Sequence, residues 1–132
     1  MPAPDEVQIA PGDSTDFSVI EETPHKIVYK FWIRRAGAPW QLIGPEQTDD
    51  ERSDHWIFIP PMPSGSEFAY WLGVYGRGLT PWRARLTIAQ RSAGADPGNW
   101  TIRDTWTEEG ITNDGPNGGG SDSTDVIRVT LT

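Results

Sequence analysis

The chain has 132 residues, 36% of them hydrophobic, with seven Trp and no Cys; this suits one domain with a real core and excludes a disulfide scaffold, a thiolate metal site and a thiol nucleophile. Nineteen Asp and Glu against 11 Lys and Arg give a net charge of −8, which argues against duplex nucleic acid, where cationic contacts to phosphate carry the binding. No apolar run nears the roughly 18–20 residues of a transmembrane segment, and the acidic start "MPAPDEVQIAPGDS" has no apolar signal core, so a soluble chain without a signal peptide is expected, its compartment unassigned.

Twelve Pro and fourteen Gly cut the sequence into short alternating runs, the pattern of an all-β protein. "EVQIA" and "TDFSVI" read as the first two strands, joined by the turn "PGDS". "HKIVYKFWIRR" is a long strand with Ile27, Tyr29, Phe31 and Ile33 on one face and Val28, Lys30, Trp32 and Arg34 on the other. "AGAP" turns into "WQLI", and "DDERSD" is a loop. "HWIFI" ends at "PPMPSG", because Pro cannot continue a ladder. "EFAYWLGVYGRG" puts Phe68, Tyr70, Leu72 and Val74 on one side and Trp71, Tyr75 and Arg77 on the other. "WRARLTIAQ", "NWTIRDTW" and "VIRVTLT" follow, the last with Ile127, Val129 and Leu131 inward. The stretch 111–125, "ITNDGPNGGGSDSTD", reads as a flexible acidic Gly-rich loop or hairpin tip. The expected fold is a single all-β domain over residues 1–132. It is an antiparallel two-sheet sandwich of eight or nine strands, immunoglobulin-like or jelly-roll, with no helix beyond a turn or two.

Three segments carry this pattern in order: "VQIAPGDSTDFSV", then "YKFWIRRAGAPWQLI", then "HWIFIPP" through "FAYWLGVYGRG". Over residues 7–90 the chain resembles bacterial immunoglobulin-like or fibronectin type III-like modules. In those, an aromatic strand, a hairpin ending in Trp, a Pro-rich corner and a Tyr-bearing strand recur in that order. "FAYWLGVYGRGLTPW" and "SDSTDVIRVTLT" are similar in outline to the fungal immunomodulatory proteins, which are small lectin-like fibronectin-type sandwiches. That family opens with an apolar dimerising helix, which this sequence does not carry. Neither resemblance brings a catalytic residue.

The outward residues supply the main candidate site: Trp32, Arg34, Trp71, Tyr75, Arg77, Arg83 and Arg85. If their strands share a sheet, flat rings flanked by guanidinium groups form a platform. Rings stack on the apolar faces of sugars, and Arg forks hold carboxylate or sulfate. The same residues also fit a structural role, as cross-strand pairs or rings covered by a loop or a second subunit, with Arg over Trp adding about 0.5–1 kcal/mol. Asp114, Asp122 and Asp125 place oxygen donors in the acidic loop. They are weak Ca²⁺ candidates, because the EF-hand register is absent and Ca²⁺ takes about six to eight oxygens.

Other chemistry is poorly supplied. His25 and His55, the only two, lack zinc spacing. Ser53, Asp54 and His55 are neighbours that alternate across a strand, without a nucleophile elbow. The adjacent pairs Glu21–Glu22 and Glu108–Glu109 do not face each other across a cleft, as glycoside hydrolysis requires. A catalyst is therefore not expected. The reading that fits best is a non-catalytic binding module, lectin-like, for a carbohydrate or anionic glycan on a cell surface. The alternative is an assembly subunit, a homo-oligomer in which the basic strands of one copy meet the acidic loops of the next. Single-stranded nucleic acid would use the same rings, but the net charge opposes it.

Overall fold

The computed structural model describes residues 3–10, 12–47, 54–59, 61–92 and 100–132, and for 44–47, 54–59 and 116 the backbone only. Alternation of apolar and polar residues becomes ten strands: β1 (Glu6–Val7), β2 (Ser14–Glu21), β3 (Lys26–Arg34), β4 (Gln41–Gln47), β5 (Asp54–Ile59), β6 (Ser66–Arg77), β7 (Pro81–Arg91), β8 (Thr101–Ile111), β9 (Gly119–Ser123) and β10 (Ile127–Leu131). The first sheet runs β1-β10-β6-β3-β4, with β9 also paired to β6; the second runs β5-β2-β7-β8. All pairings are antiparallel except β1 with β10. No helix of the described residues is long and apolar enough to cross a membrane.

The expected phasing holds where alternation is strict. Ile27, Tyr29, Phe31 and Ile33 of β3 and Phe68, Tyr70, Leu72 and Val74 of β6 are buried, because a period of two sends one side of each strand to the same place. The core lies between the sheets. Phe17 of β2 stacks on Phe31 of β3 with ring centroids 4.6 Å apart, and Phe68, Tyr70 and Trp106 pack around Phe17 at 5.7–6.4 Å. The polar ends of these rings are satisfied. The Trp106 Nε1–H donates to Tyr70 Oη at 2.9 Å, and the Tyr70 hydroxyl donates to Glu108 Oε1 at 2.5 Å. Burial and this carboxylate push the Tyr70 phenol well above its ordinary range.

Three details correct the sequence reading. The first strand shrinks to Glu6–Val7, although Ile9 beyond it stays buried. The strand expected to end at Ile43 continues to Gln47 through Pro45; β4 is an edge strand, so a residue without an N–H breaks no ladder on its free side. The Gly-rich stretch is not a plain loop. Pro116–Gly118 form a 3-10 turn and Gly119–Ser123 a tenth strand, in register with residues 73–77 of β6. Glycine makes this close approach workable. A Cβ on Gly120 would meet the Asn113 carbonyl oxygen at 2.0 Å and the Gly78 Cα at 2.8 Å, so backbone rests on backbone where a side chain would stand. The loop expected at "DDERSD" lies, but for the Asp54 backbone, outside the described residues.

Candidate functional site

The seven outward candidates do not form one platform. Trp32 and Arg34 on β3, and Trp71, Tyr75 and Arg77 on β6, share the outer face of the first sheet. Arg83 and Arg85 lie on β7 in the second sheet, where they alternate with buried Trp82, Ala84 and Leu86. The chain between β6 and β7 crosses from one sheet to the other, so consecutive strands do not pair. Arg83 instead meets Glu22 at 3.7 Å.

Within the first sheet the five residues divide again. At one end Arg34 pairs with Glu67, its cross-strand partner, and its guanidinium lies 4.7 Å from the Trp40 ring centroid. Arg128 reaches the same ring at 5.5 Å. Trp32 sits half-buried beside this cluster, between Ala69 and Leu42 on the neighbouring strands. These groups satisfy one another, which leaves little for a ligand. The sequence reading missed Trp40, which ends the turn "AGAPW" and carries two cation contacts.

The other end is more open. Trp71 is half-buried and Tyr75 is 47% exposed. Lys30, the cross-strand partner of Trp71, holds its Nζ 5.8 Å from the ring centroid. The indole leans along its own strand over Gly73: a Cβ there would meet the ring at 2.6 Å and Val28 at 2.9 Å. Glycine at 73 thus lets the ring lie against the sheet. Trp71 and Tyr75 line a groove of about 300 Å³ with Ile111, Asn113, Ser121, Asp122 and Ser123. An adjoining hollow of about 570 Å³ shares Tyr75, Asn113 and Ser121 and extends to Asp114 and Gly115. Arg77 stands at the end of β6, exposed, opposite Gly119.

The rim is the part sequence reasoning missed. In β9 the outward positions opposite Gly73 and Tyr75 are Ser123 and Ser121. The acidic Gly-rich stretch and the aromatic strand are therefore two walls of one groove. The alternation within "GGSDS" was the available signal, but its small residues hide a strand inside a turn-like composition.

The three aspartates do not converge. Asp122 accepts a hydrogen bond from Trp82 Nε1 at 2.8 Å, while Asp114 and Asp125 are exposed. Among the described residues no group of three metal-capable side chains occurs. The sequence also gave no warning of a linked set at the β2–β3 corner. His25 joins Thr23 Oγ1 and Thr80 Oγ1, each at 2.9 Å. The Thr23 hydroxyl donates to Glu21, and that of Thr80 to the Arg77 carbonyl at 2.6 Å. Glu21 is buried, which raises its carboxyl pKa against the opposing effects of Thr23 and His25. Both hydroxyl protons are committed to acceptors, so this cluster ties two corners together and presents no activated nucleophile. Of the residues weighed as a triad, Ser53 lies outside the described residues and Asp54 and His55 are described in backbone only. No family model, curated protein or solved structure matches the chain.

Proposed function

We propose that this protein is a non-catalytic, lectin-like binding module that holds a carbohydrate in the groove between β6 and β9. One observation carries the reading: two aromatic rings, Trp71 and Tyr75, open into a groove whose other wall carries the hydroxyls of Ser121 and Ser123, the Asn113 amide and the Asp122 carboxylate, with Ile111 beside them. A sugar presents the same two chemistries, an apolar face of C–H groups and a fringe of hydroxyls. Rings take the first and short polar side chains the second, and few convergent polar groups beside an apolar surface are typical of small-molecule sites. Lys30 beside Trp71 and Arg77 at the end of β6 draw a glycan bearing carboxylate or sulfate, while Asp122 in the groove and Asp114 in the adjoining hollow oppose one, so a neutral sugar fits the groove itself.

We read the fold as immunoglobulin-like. The order β10-β6-β3-β4 follows the G-F-C-C′ sheet of variable-type domains, and β2 with β5 follows the B–E pair. On this reading β7 and β8 are an addition on the free side of β2.

A glycan array with the full chain tests the function, followed by titration of any hit. Binding should fall at least about tenfold in Trp71→Ala and in Tyr75→Ala, which is roughly 1.4 kcal/mol or more. Silence across the array, with Trp fluorescence unmoved by every sugar, removes the reading. The second reading, an assembly subunit, draws on exposed Leu79, Ile111 and Tyr75. Light scattering in a salt series decides it, and a monomer at low salt ends it.

A further inference from the structure

The outer face of the second sheet holds a hollow of about 450 Å³, lined by Asp16 and Ile20 of β2, Arg85 and Ala89 of β7, and Trp100 and Ile102. Asp16 is only 9% exposed, on β2, which is flanked by β5 and β7. No hydrogen bond or ion pair reaches its carboxylate among the described residues. Trp100 and Ile102 by contrast are 36% and 66% exposed, so large apolar surfaces stand in water above a desolvated acid.

The geometry points to a second binding site in this hollow, independent of the glycan groove, for an organic ammonium: a protonated amine on a short apolar or aromatic body. A carboxylate removed from water without a partner is costly, and a ligand cation supplies the missing countercharge. Ile20, Ala89, Ile102 and the Trp100 ring take the body. The volume falls in the roughly 300–1,000 Å³ of small-molecule sites. A divalent metal is a poorer fit, since it wants several oxygens and no such set gathers here.

Among the described residues no cation pairs with Asp16, although Arg85 lines the same hollow. Arg91 lies over the Trp100 ring at 5.0 Å. Arg85 is four residues along β7 from Ala89, the partner of Asp16, or about 13 Å at strand spacing. Asp104 accepts from the Thr105 N–H, and Arg103 donates to Gln90. Asp54 and His55 of β5 have side chains outside the described residues. Burial lifts Asp16 from 3.8 to about 6, so the acid is charged at neutral pH and loses its charge on mild acidification.

The test is calorimetric titration of the full chain with phenethylamine and with its uncharged counterpart 2-phenylethanol, above and below the Asp16 transition. At neutral pH the amine should bind at least about tenfold more tightly than the alcohol, and the advantage should vanish below the transition. In the amide spectrum Thr87 and Thr105, which face each other in the hollow, should move on titration. Asp16→Asn should remove the preference for the amine, while Trp71→Ala should leave it intact and so separates this site from the sugar groove. A pH-dependent preference for the amine that survives unchanged in Asp16→Asn counts against the assignment to Asp16. Equal affinity for amine and alcohol, retention of the preference in Asp16→Asn, or no saturable binding by the wild-type chain overturns the proposal. If Asp16→Asn does not fold, the amine–alcohol pair and its pH profile in the wild type still decide.

Discussion

The two outer faces of the molecule handle the same problem in opposite ways. On the first sheet, large rings half in water are covered by cations: Lys30 by Trp71, Arg34 and Arg128 by Trp40. On the second, Arg91 likewise lies over the Trp100 ring, but the acid beside that ring is nearly buried and among the described residues no cation pairs with it. A ring on an outer face keeps most of its favourable contacts whether or not a ligand arrives. A desolvated carboxylate does not, and its cost remains until something neutralises it. The first face thus costs the fold little, and the second stores a cost that protonation or a countercharge can relieve.

The largest effects should come from the interior that both faces share. Phe17→Ala removes the ring that contacts Phe31, Phe68, Tyr70 and Trp106 and should cost about 3–5 kcal/mol in urea denaturation. Phe31→Ala and Leu72→Ala should cost about 2–5 kcal/mol. Trp71→Ala, one position from Leu72 but on the outer side, should cost less than about 1 kcal/mol. A loss at Trp71 as large as at Leu72 would mean that its ring is an element of the core, and the contrast between interior and outer face would fail.

Asp16 comes next, with the opposite sign. Its pKa in the folded protein is raised from 3.8 to about 6, so the folded state binds a proton more tightly than the unfolded chain. The contribution of Asp16 to stability should therefore be most favourable below about pH 4 and be lost as pH rises through about 6. A rise of roughly two units at about 1.4 kcal/mol each bounds the loss at about 3 kcal/mol. Asp16→Asn should recover a large part of it at neutral pH and almost none in acid, as melts across pH would show. A variant no more stable than wild type at neutral pH would mean the carboxylate is solvated or paired, and the two faces would then be alike.

This contrast also marks what the sequence could tell. Phasing of β3, β6 and β7 was readable because one side of each strand is apolar at every second position over four residues: Ile27 to Ile33, Phe68 to Val74 and Trp82 to Ile88. The burial of Asp16 was not readable. "STDFSVIE" alternates as a strand with one side in water would, and the β7 and β8 residues that line the hollow with Asp16 lie far along the chain. The sharing of a groove by Trp71 and Ser121 was hidden for another reason. Strand order is set by crossovers, and nothing in "GRGLTPW" says that the chain changes sheets there. Arg83 and Arg85 were joined to the wrong face by the same gap.

β9 closes the groove wall, and its anchor sets the third effect. Asp122→Ala leaves the Trp82 indole N–H without the acceptor it now has at 2.8 Å, beside a ring that is 2% exposed. The cost should be about 1–3 kcal/mol. Amide exchange should rise most at residues 119–123 and at their partners 73–77, with β3 and β7 protected as before. Uniform exchange across the whole chain would show that β9 is not a separately anchored element.

The smallest effect should come from the two ion pairs, and it bears on whether the faces are free in solution. Arg34–Glu67 is shared with a Trp ring and with Arg128, whereas Arg83–Glu22 is a single 3.7 Å contact with side chains 56% and 30% exposed. A double-mutant cycle on Arg83 and Glu22 should give a coupling below about 0.5 kcal/mol that fades with added salt. The cycle on Arg34 and Glu67 should give more, because the ring holds the guanidinium in place before the carboxylate meets it. A coupling above about 1 kcal/mol at Arg83 that grows with protein concentration would require this corner to be buried by a second copy. Basic β7 would then meet an acidic partner across an interface, and the assembly reading would displace the binding module.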